Sequence, residues 1–343
     1  TFLKRINVIA QNTQRAKETF KQYALLLERI ETIEFNSQLL QEQQQKIKSE
    51  GLKASQIFLK FSKALDALDN RNNLISAIFG NGLLLSDIRQ TYHVEQWIAK
   101  YGHKVEDWFE VVTFFDAFNS FGNYAFNHQR FTYPLITDEP ITILAENLGH
   151  PLLNADKRID SDLELREEQF FIVTGANMAG KSTFLRTVAL HIVMANVGLP
   201  VCAKQSKYKP IKLITSMRTT DSLTDDSSYF FSELTRLKFI VDTVGKDKSY
   251  FIILDEILKG TNSTDKAIGS RKFVEKLVKL NATGIIATHD LSLTEIEAEL
   301  EAVKNYYFDA EIINDELFFD YKLKQGVCQN MNASFLLKKM EIV

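Results

Sequence analysis

The sequence predicts a mixed chain of two domains, a helical domain over residues 1–140 followed by an α/β domain over residues 141–343. No proline occurs before Pro134, and apolar residues in that part recur at the spacing of amphipathic helices. After Pro140, short β-branched runs alternate with helical patterns, as a layered α/β domain requires. These runs are FFIVTG (residues 170–175), IKLITSM (211–217), YFIILDE (250–256) and TGIIATH (283–289).

Two stretches of the helical part admit a second interpretation. The segment from Gln41 to Glu50 has the glutamine-rich composition of a disordered tract, but apolar periodicity on both sides favours the solvated face of a helix. The aromatic stretch from Trp108 to Phe126 suggests a base-stacking surface, yet its helical spacing and its lack of Lys and Arg favour core packing. We therefore expect both stretches to belong to packed helices.

The overall charge gives no sign of a polyanionic partner. The chain carries 41 basic and 44 acidic residues, and residues 1–150 carry 16 and 17 of them. Any nucleic-acid surface is therefore expected to be local. Cys202 and Cys328 lack the spacing of a zinc site or a disulfide framework, which indicates a reducing, cytoplasmic setting. The apolar run from Leu74 to Leu85 has only 12 residues, so no contact with a membrane is expected from these residues.

A phosphate-binding motif lies between a predicted strand and a predicted helix. Residues 175–182 fit the pattern GxxxxGK[ST], after the apolar strand Phe170–Val173 and before a helix from Thr183 to Val193. Glycines let successive backbone N–H groups point at phosphate oxygens, and the helix N-terminus adds its dipole. We expect Lys181 to bridge the β- and γ-phosphates and Ser182 to ligate Mg²⁺.

Two further strand ends supply groups that hydrolysis requires. Asp255 and Glu256 follow the apolar strand Phe251–Leu254. Asp255 is expected to hold Mg²⁺, directly or through water, and Glu256 to orient or deprotonate the attacking water. His289 follows a third strand, where it is expected to sense the γ-phosphate. These elements predict a P-loop ATPase, and the absence of an NKxD guanine-reading motif disfavours a GTPase.

The residues around these motifs resemble one family. The segments TGANMAGKSTFL (174–185), DSLTDDSSYFFSEL (221–234) and LDEILKGTNSTDKAIG (254–269) are similar to the ATPase domain of the MutS family, DNA mismatch-repair proteins related to ABC ATPases. Asn177 and Met178 inside the phosphate loop are especially characteristic, and the LSGGQ signature of transporter ABC ATPases is not found. The resemblance covers residues 141–343 closely and the helical part loosely. It implies an all-helical lever and core domain followed by an ABC-type P-loop ATPase domain.

The resemblance also implies a role for individual residues. It implies a homodimer whose ATPase domains form composite sites, in which Ser228 reaches toward the γ-phosphate bound by the partner and residues 262–265 line the interface. Arg158 and Tyr321 remain two alternatives for the side chain that covers the adenine base. The implied nucleotide-binding residues are Gly175, Ala176, Asn177, Met178, Ala179, Gly180, Lys181, Ser182, Thr183 and Tyr321. The implied Mg²⁺ ligands are Ser182 and Asp255, and the implied catalytic residues are Glu256, His289, Lys181 and Ser228.

Departures from the family predict a shorter, MutS-related subgroup. The chain reads LGHP at residues 148–151 where the family has an Arg-His-Pro segment, and it has neither the length nor the Phe-x-Glu wedge of members that recognise mismatches. It begins at Thr1 without an initiator methionine, which is typical of a piece of a longer protein. Full-length members of that subgroup often carry hydrophobic amino-terminal segments, so a membrane tether outside these residues is expected.

Three functions stay open on the sequence. In the first, a dimer holds DNA between helical levers that ATP moves. In the second, the same ATP switch grips a protein partner or a membrane-linked assembly and does not recognise mismatches. The third, a scaffold with an inactive site, is disfavoured because Lys181, Asp255, Glu256 and His289 are all present.

Overall fold

The structure, a computed structural model, describes residues 16–48, 52–69, 86–217, 229–247, 249–258, 262–313 and 316–329. The chain divides into two compact units, residues 1–124 and residues 125–343. Helices and sheets are both present, as the sequence predicts, and the described residues of the first unit are mainly helical. The predicted domain boundary at residue 140 falls within the second unit.

Three of the four helices that the structure describes in the first unit contribute buried side chains to an aromatic core. The four helices are α1 (Ala16–Thr32), α2 (Gln38–Lys46), α3 (Ala54–Asp69) and α4 (Ser86–Asn127), of which the last continues into the second unit. Phe58 on α3 and Trp108 on α4 are fully buried, with ring centroids 5.2 Å apart. Leu27 of α1 belongs to the same core. Rings of this size remove much apolar surface from water and hold the three helices together.

Both ambiguous stretches of the helical part lie largely in helices, and residues 49 and 50 of the first stretch lie outside the described residues. The glutamines lie on α2, where the buried Gln44 amide donates to the carbonyl oxygens of Ile30 at 2.7 Å and Ile33 at 2.8 Å. Core packing is the correct interpretation for Trp108, but Phe126 is 72% exposed. Phe126 lies after residue 124, where the first unit ends, and is not one of the residues of that unit's aromatic core.

All strands that the structure describes lie in the second unit. They are β1 (Leu135–Ile136), β2 (Ile141–Leu148), β3 (Ser161–Arg166), β4 (Phe170–Gly175), β5 (Gln205–Tyr208), β6 (Lys212–Ser216), β7 (Tyr250–Asp255), β8 (Thr283–Ala287), β9 (Val303–Phe308), β10 (Glu311–Ile313), β11 (Glu316–Phe318) and β12 (Lys324–Gln325). Its further helices are α5 (Lys181–Asn196), α6 (Tyr229–Val244), α7 (Ser263–Lys279) and α8 (Ile296–Glu299), with a 3₁₀ helix over Leu291–Glu295. The four predicted strands are therefore confirmed, with shifts of one or two residues at their ends.

A six-stranded sheet forms the centre of the second unit. Its order is β12-β9-β4-β8-β7-β6, and all neighbouring strands are parallel except β12 with β9. The register pairs Val173 of β4 with Ala287 of β8, and Ala287 with Asp255 of β7. The carboxyl ends of these three strands therefore lie at one level, where ligands bind in open α/β sheets. A second sheet has the order β1-β5-β2-β3, and β10 and β11 form a hairpin.

The structure also bears on the two cysteines and on the apolar character of the helices. Cys202 and Cys328 are buried free thiols, and burial raises the pKa of Cys202 to about 11. A thiol held in its protonated form is a poor nucleophile. None of the described helices combines the length and the apolar character that a bilayer crossing requires.

Replacing Phe58 by alanine tests the core of the helical unit. We expect Phe58→Ala to lower the free energy of unfolding of this unit by about 3–5 kcal/mol, because the cavity it leaves lies between packed rings. The only two tryptophans of the chain, Trp97 and Trp108, lie 6.2 and 5.2 Å from the Phe58 ring, so tryptophan fluorescence during urea unfolding reports this unit alone. The control Tyr92→Ala removes a ring that is 62% exposed, and its effect should stay within about 0.5 kcal/mol. Equal effects of both substitutions would contradict this core.

A buried histidine predicts how the second unit responds to acid. His191 on α5 is 3% exposed, its Nε2 lies 3.2 Å from the Ser206 hydroxyl, and burial lowers its pKa to about 4. Because the unfolded chain titrates near 6.5, protons bind the unfolded state more strongly between these values, and stability falls as pH drops from about 6.5 to 4. The contribution is at most about 3 kcal/mol. Urea unfolding followed by circular dichroism should show a smaller loss of stability over that range in His191→Gln than in the wild type. Identical losses in both proteins would exclude His191 as the cause.

Candidate functional site

The predicted phosphate loop joins the central strand to a helix. β4 ends at Gly175, α5 begins at Lys181, and Gly175 and Gly180 have φ angles of 145° and 108°. A Cβ on Gly175 would lie 2.5 Å from the carbonyl oxygen of Phe308, so only glycine fits there. Met178 also has a positive φ of 66°. Such a φ is uncommon for residues other than glycine, and here it accompanies a tightly curved loop. The loop thus has the curvature that aims backbone N–H groups at one anion.

Lys181 is folded back over this loop. Its side chain is 6% exposed, and its Nζ donates to the carbonyl oxygens of Gly175 and Ala176, both at 2.8 Å. A buried ammonium group needs such partners to offset its loss of hydration. The contacts hold the positive charge at the concave side of the loop. Ser182 and Thr183 follow on the first turn of α5 and face the same cavity.

The two acids end their strand in different environments. Asp255 is 7% exposed at the last position of β7 and is not one of the cavity-lining residues. Glu256 lies one residue further, lines the cavity and has a φ of 51°. Its backbone N–H donates to the Ala287 carbonyl oxygen at 2.9 Å, which continues the ladder between β7 and β8. The left-handed backbone costs about 1–2 kcal/mol and turns the Glu256 side chain out of the sheet toward the cavity.

His289 and Glu256 contact each other directly. The Nε2 of His289 lies 2.7 Å from Oε1 of Glu256. The backbone before His289 is fixed because the Thr288 N–H donates to the Val173 carbonyl oxygen at 3.0 Å. The backbone after it is fixed by Asp290, whose carboxylate accepts from the N–H of Ser292 at 2.9 Å and caps the 3₁₀ helix. With the Glu256 carboxylate ionised, Nε2 must carry the hydrogen, so the pair defines the tautomer of a neutral His289.

One cavity of about 740 Å³ brings these residues together. Its lining includes the loop residues Asn177–Lys181, together with Glu256 and His289. Further parts of the wall come from the segment after β2, where His150 and Arg158 are found, from Tyr321, and from side chains of α5 and β9. Burial, followed by the charges of Arg186 and Arg158, lowers the pKa of His150. The predicted loop, carboxylate and histidine therefore share one recess.

Arg158 occupies the space that a side chain at residue 149 would need. Its Nε lies 2.6 Å from Oδ1 of Asp160, and only 13% of the Arg158 side chain is exposed. A Cβ on Gly149 would collide with both the Arg158 and the Asp160 side chains. The chain has Gly149 where the family has an arginine before the His-Pro pair. In this structure the side chain of Arg158 fills the space next to Gly149 instead.

Tyr321 approaches the cavity from the other side. It has a φ of 53°, and its ring lies so close to the phosphate loop that a Cβ on Gly180 would be 3.3 Å from Cδ1. Phe319 stacks on it with ring centroids 5.8 Å apart. Both alternatives for covering the base, Arg158 and Tyr321, thus line the same cavity, and the choice between them stays open.

Of the two elements predicted to lie at a dimer interface, the structure describes one. Ser228 lies outside the described residues, directly before α6 in the sequence. Asn262 is described and caps α7, where its Oδ1 accepts from the Asp265 N–H at 2.8 Å and its Nδ2 donates to the Asp265 carboxylate at 2.7 Å. Neither Asn262 nor Asp265 lines the cavity.

Sequence motifs do not reveal the contact that Glu233 makes. Its Oε1 accepts from the backbone N–H of Leu258 at 2.7 Å, and its Oε2 is buried without a hydrogen-bond partner among the described residues. Leu258 has a φ of 59°, so two left-handed residues, Glu256 and Leu258, lie within three positions. Glu233 thus holds the turn that carries Glu256. The one available signal was its place in the SSYFFSEL segment.

The residues present fit a nucleoside triphosphate and Mg²⁺. The cavity volume of about 740 Å³ lies in the range of sites for small ligands and cofactors. The loop with Lys181 supplies N–H groups and a positive charge for phosphates. The Ser182 hydroxyl and the Asp255 carboxylate are hard oxygen donors, which Mg²⁺ prefers together with phosphate oxygens and water.

Comparisons with known proteins agree on one family. Residues 171–339 match the family MutS domain V. The MutS protein homolog 4 of Homo sapiens is 31% identical over 307 residues, which cover 83% of this chain and 31% of that protein. The DNA mismatch repair protein MutS of Acetivibrio thermocellus is 32% identical over 212 residues, 60% of this chain and 24% of the relative. The DNA mismatch repair protein MSH4 of Arabidopsis thaliana is 30% identical over 216 residues, 62% of this chain and 27% of the relative.

The chain spans less than a third of the length of these relatives. The match to MutS domain V nevertheless includes the phosphate loop, the Asp255–Glu256 pair and His289. With its domain V over residues 171–339, the chain belongs to the MutS family.

Proposed function

We propose that this chain is a Mg²⁺-dependent ATPase that works as a homodimer and couples the state of its nucleotide to the holding of DNA. The observation that carries the proposal is the 2.7 Å contact between Glu256 and His289 in the cavity that the phosphate loop also lines. A carboxylate that a histidine orients next to a triphosphate site is suited to activate water. The membership of the chain in a family of DNA mismatch repair proteins supports DNA as the partner.

In the proposed reaction, Glu256 positions the attacking water and accepts its proton. Water attacks the γ-phosphorus, the bond to the β–γ bridging oxygen breaks, and ADP leaves with inorganic phosphate as the second product. Lys181 stabilises the negative charge that develops on the phosphate oxygens. Ser182 and Asp255 would hold Mg²⁺, which would supply positive charge next to the phosphates. His289 responds to the γ-phosphate through its contact with Glu256.

An exposed apolar side chain on the phosphate loop supports a dimer. Met178 lines the cavity and is 78% exposed, and Phe231, three residues after Ser228 in the sequence, is 65% exposed. A partner that covers such side chains removes apolar surface from water. We propose that the partner protomer covers them and that its Ser228 completes the site.

The first test concerns the carboxylate. We expect Glu256→Gln to bind ATP with unchanged affinity and to hydrolyse it at least about 100-fold more slowly, because the amide keeps the shape but cannot accept the proton. Single-turnover hydrolysis and equilibrium nucleotide binding measure the two effects separately. The matched control Glu311→Gln changes an exposed carboxylate on β10 and should keep full activity. Turnover of Glu256→Gln at the wild-type rate would remove Glu256 from the mechanism.

The second test concerns Glu233, which we propose to be a positioning residue. Removal of the hydrogen bond between its Oε1 and the Leu258 N–H frees the turn that carries Glu256. A hydrogen bond to a charged group contributes about 1.5–3 kcal/mol, so Glu233→Ala should lower kcat about 10- to 100-fold with little change in ATP affinity. Glu233→Gln keeps an acceptor and should restore part of the loss.

A control on the same helix separates positioning from general stability. Asp242 on α6 forms an exposed pair with Lys238 at 3.1 Å, and such pairs contribute little. Asp242→Ala should therefore leave kcat unchanged. If Glu233→Ala matched Asp242→Ala in kcat, or if it changed only the affinity for ATP, the positioning role would be wrong.

A further inference from the structure

A recess lies between two helices of the first unit, away from the phosphate loop in sequence. α3 and α4 contact through Phe61 and Trp97, whose rings stack with centroids 3.9 Å apart. The indole Nε1 of Trp97 donates to the Ile57 carbonyl oxygen at 3.1 Å, so the polar atom of this ring is already used. Above these rings the two helices leave a groove of about 590 Å³, which we call the α3–α4 groove.

The rim of the α3–α4 groove is basic along both helices. Lys60 and Lys63 line it from α3, and Arg89, His93 and Lys100 line it from α4, while none of its lining residues is acidic. The three residues of α4 lie four and seven positions apart, which places them on one helix face. From Arg89 to Lys100 this face extends about 16 Å at the rise of an α-helix. All five basic side chains are exposed.

Among the residues that the structure describes, four of the five basic side chains form no ion pair. They are Lys60, Lys63, Arg89 and Lys100. Asp66, on the same helix as Lys60 and Lys63, is already paired with Lys17 at 3.1 Å. Like charges gathered without counterions repel one another, whereas an ordinary protein surface intersperses both signs. A bound polyanion would remove that repulsion.

The charges of this part of the chain are segregated along the sequence. Residues 51–104 contain seven Lys and Arg against four Asp and Glu, whereas residues 105–129 contain four acidic residues and no Lys or Arg. The nearly equal numbers of basic and acidic residues over residues 1–150 therefore hide two regions of opposite charge. The basic region forms the rim of the α3–α4 groove, and the acidic region lies further along α4.

We propose that the α3–α4 groove binds one phosphodiester strand of a nucleic acid through its phosphates, independently of base sequence. The cations lie on both helices around a recess of about 590 Å³, so a narrow strand lying in it can contact both helices, whereas a flat membrane surface meets only the rim. The aromatic floor lies below the rim with its N–H already bonded, so it offers no donor for reading bases. The inference rests on the proposed function only in the choice of nucleic acid as the partner.

The test measures binding of the full chain to fluorescent oligonucleotides without ATP, over a series of salt concentrations. The groove variant Lys60→Ala/Arg89→Ala/Lys100→Ala is compared with a control variant, Lys21→Ala/Arg29→Ala/Lys46→Ala, which removes the same residue types from exposed positions outside the groove. Alanine favours helix, so both variants should fold, and tryptophan fluorescence checks this. We expect the groove variant to bind at least tenfold more weakly, with a slope of log K against log salt smaller by about 2–3. The control variant should bind like the wild type.

Single-stranded and duplex oligonucleotides are tested in parallel. The one that binds more strongly shows whether the groove takes a single strand or one strand of a duplex. Equal binding by the groove variant and the control variant would overturn the proposal, as would a wild type that binds neither oligonucleotide at low salt. Vesicles containing phosphatidylserine form the third arm. Loss of vesicle binding in the groove variant, with binding to nucleic acid unchanged, would overturn the proposal in favour of a membrane surface. Because ATP is omitted, a failure here is distinct from a failure of the Glu256→Gln experiment.

Discussion

The register of three parallel strands is the constraint on which the candidate site depends. Val173, Ala287 and Asp255 are paired across β4, β8 and β7, so the residues that follow each strand emerge at the same edge. Buried hydrogen bonds and apolar contacts maintain this register, because a shift by one residue would turn every buried side chain to the opposite face. The phosphate loop, Glu256 and His289 lie more than 30 residues from one another in sequence and still share one cavity for this reason.

Backbone conformations that most residues avoid occur at this edge. Met178, Glu256 and Leu258 all have positive φ angles. Each costs free energy, and the cost is offset by contacts that fix the backbone, such as those of Glu256 with Ala287 and of Leu258 with Glu233. Strain held in this way keeps the Glu256 side chain oriented before any ligand arrives, which is how preorganised sites reduce the reorganisation that a reaction requires.

The sequence was informative where chemistry is tied to a strand end. Glu256 and His289 could be predicted because they lie just after the ends of apolar strands, and Lys181 because it ends the phosphate loop that follows such a strand. Glu233 could not, because its role depends on a hydrogen bond to a residue 25 positions away. Arg158 could not be predicted to fill the space next to Gly149 either, because the two residues are nine positions apart and no sequence motif includes both. The α3–α4 groove was hidden for another reason, since a charge total over 150 residues cancels two regions of opposite sign.

The role of Glu256 at the phosphate loop can be checked by a structure of the chain with Mg²⁺ and a non-hydrolysable ATP analogue. We expect a triphosphate enclosed by residues 175–183, with the Lys181 Nζ bonded to the γ-phosphate and the Glu256 carboxylate within one water molecule of it, as general-base catalysis requires. We also expect His289 to stay within contact of Glu256 or of the γ-phosphate. A triphosphate bound elsewhere, or one whose γ-phosphate faces away from Glu256 and His289, would show that Glu256 does not activate the attacking water.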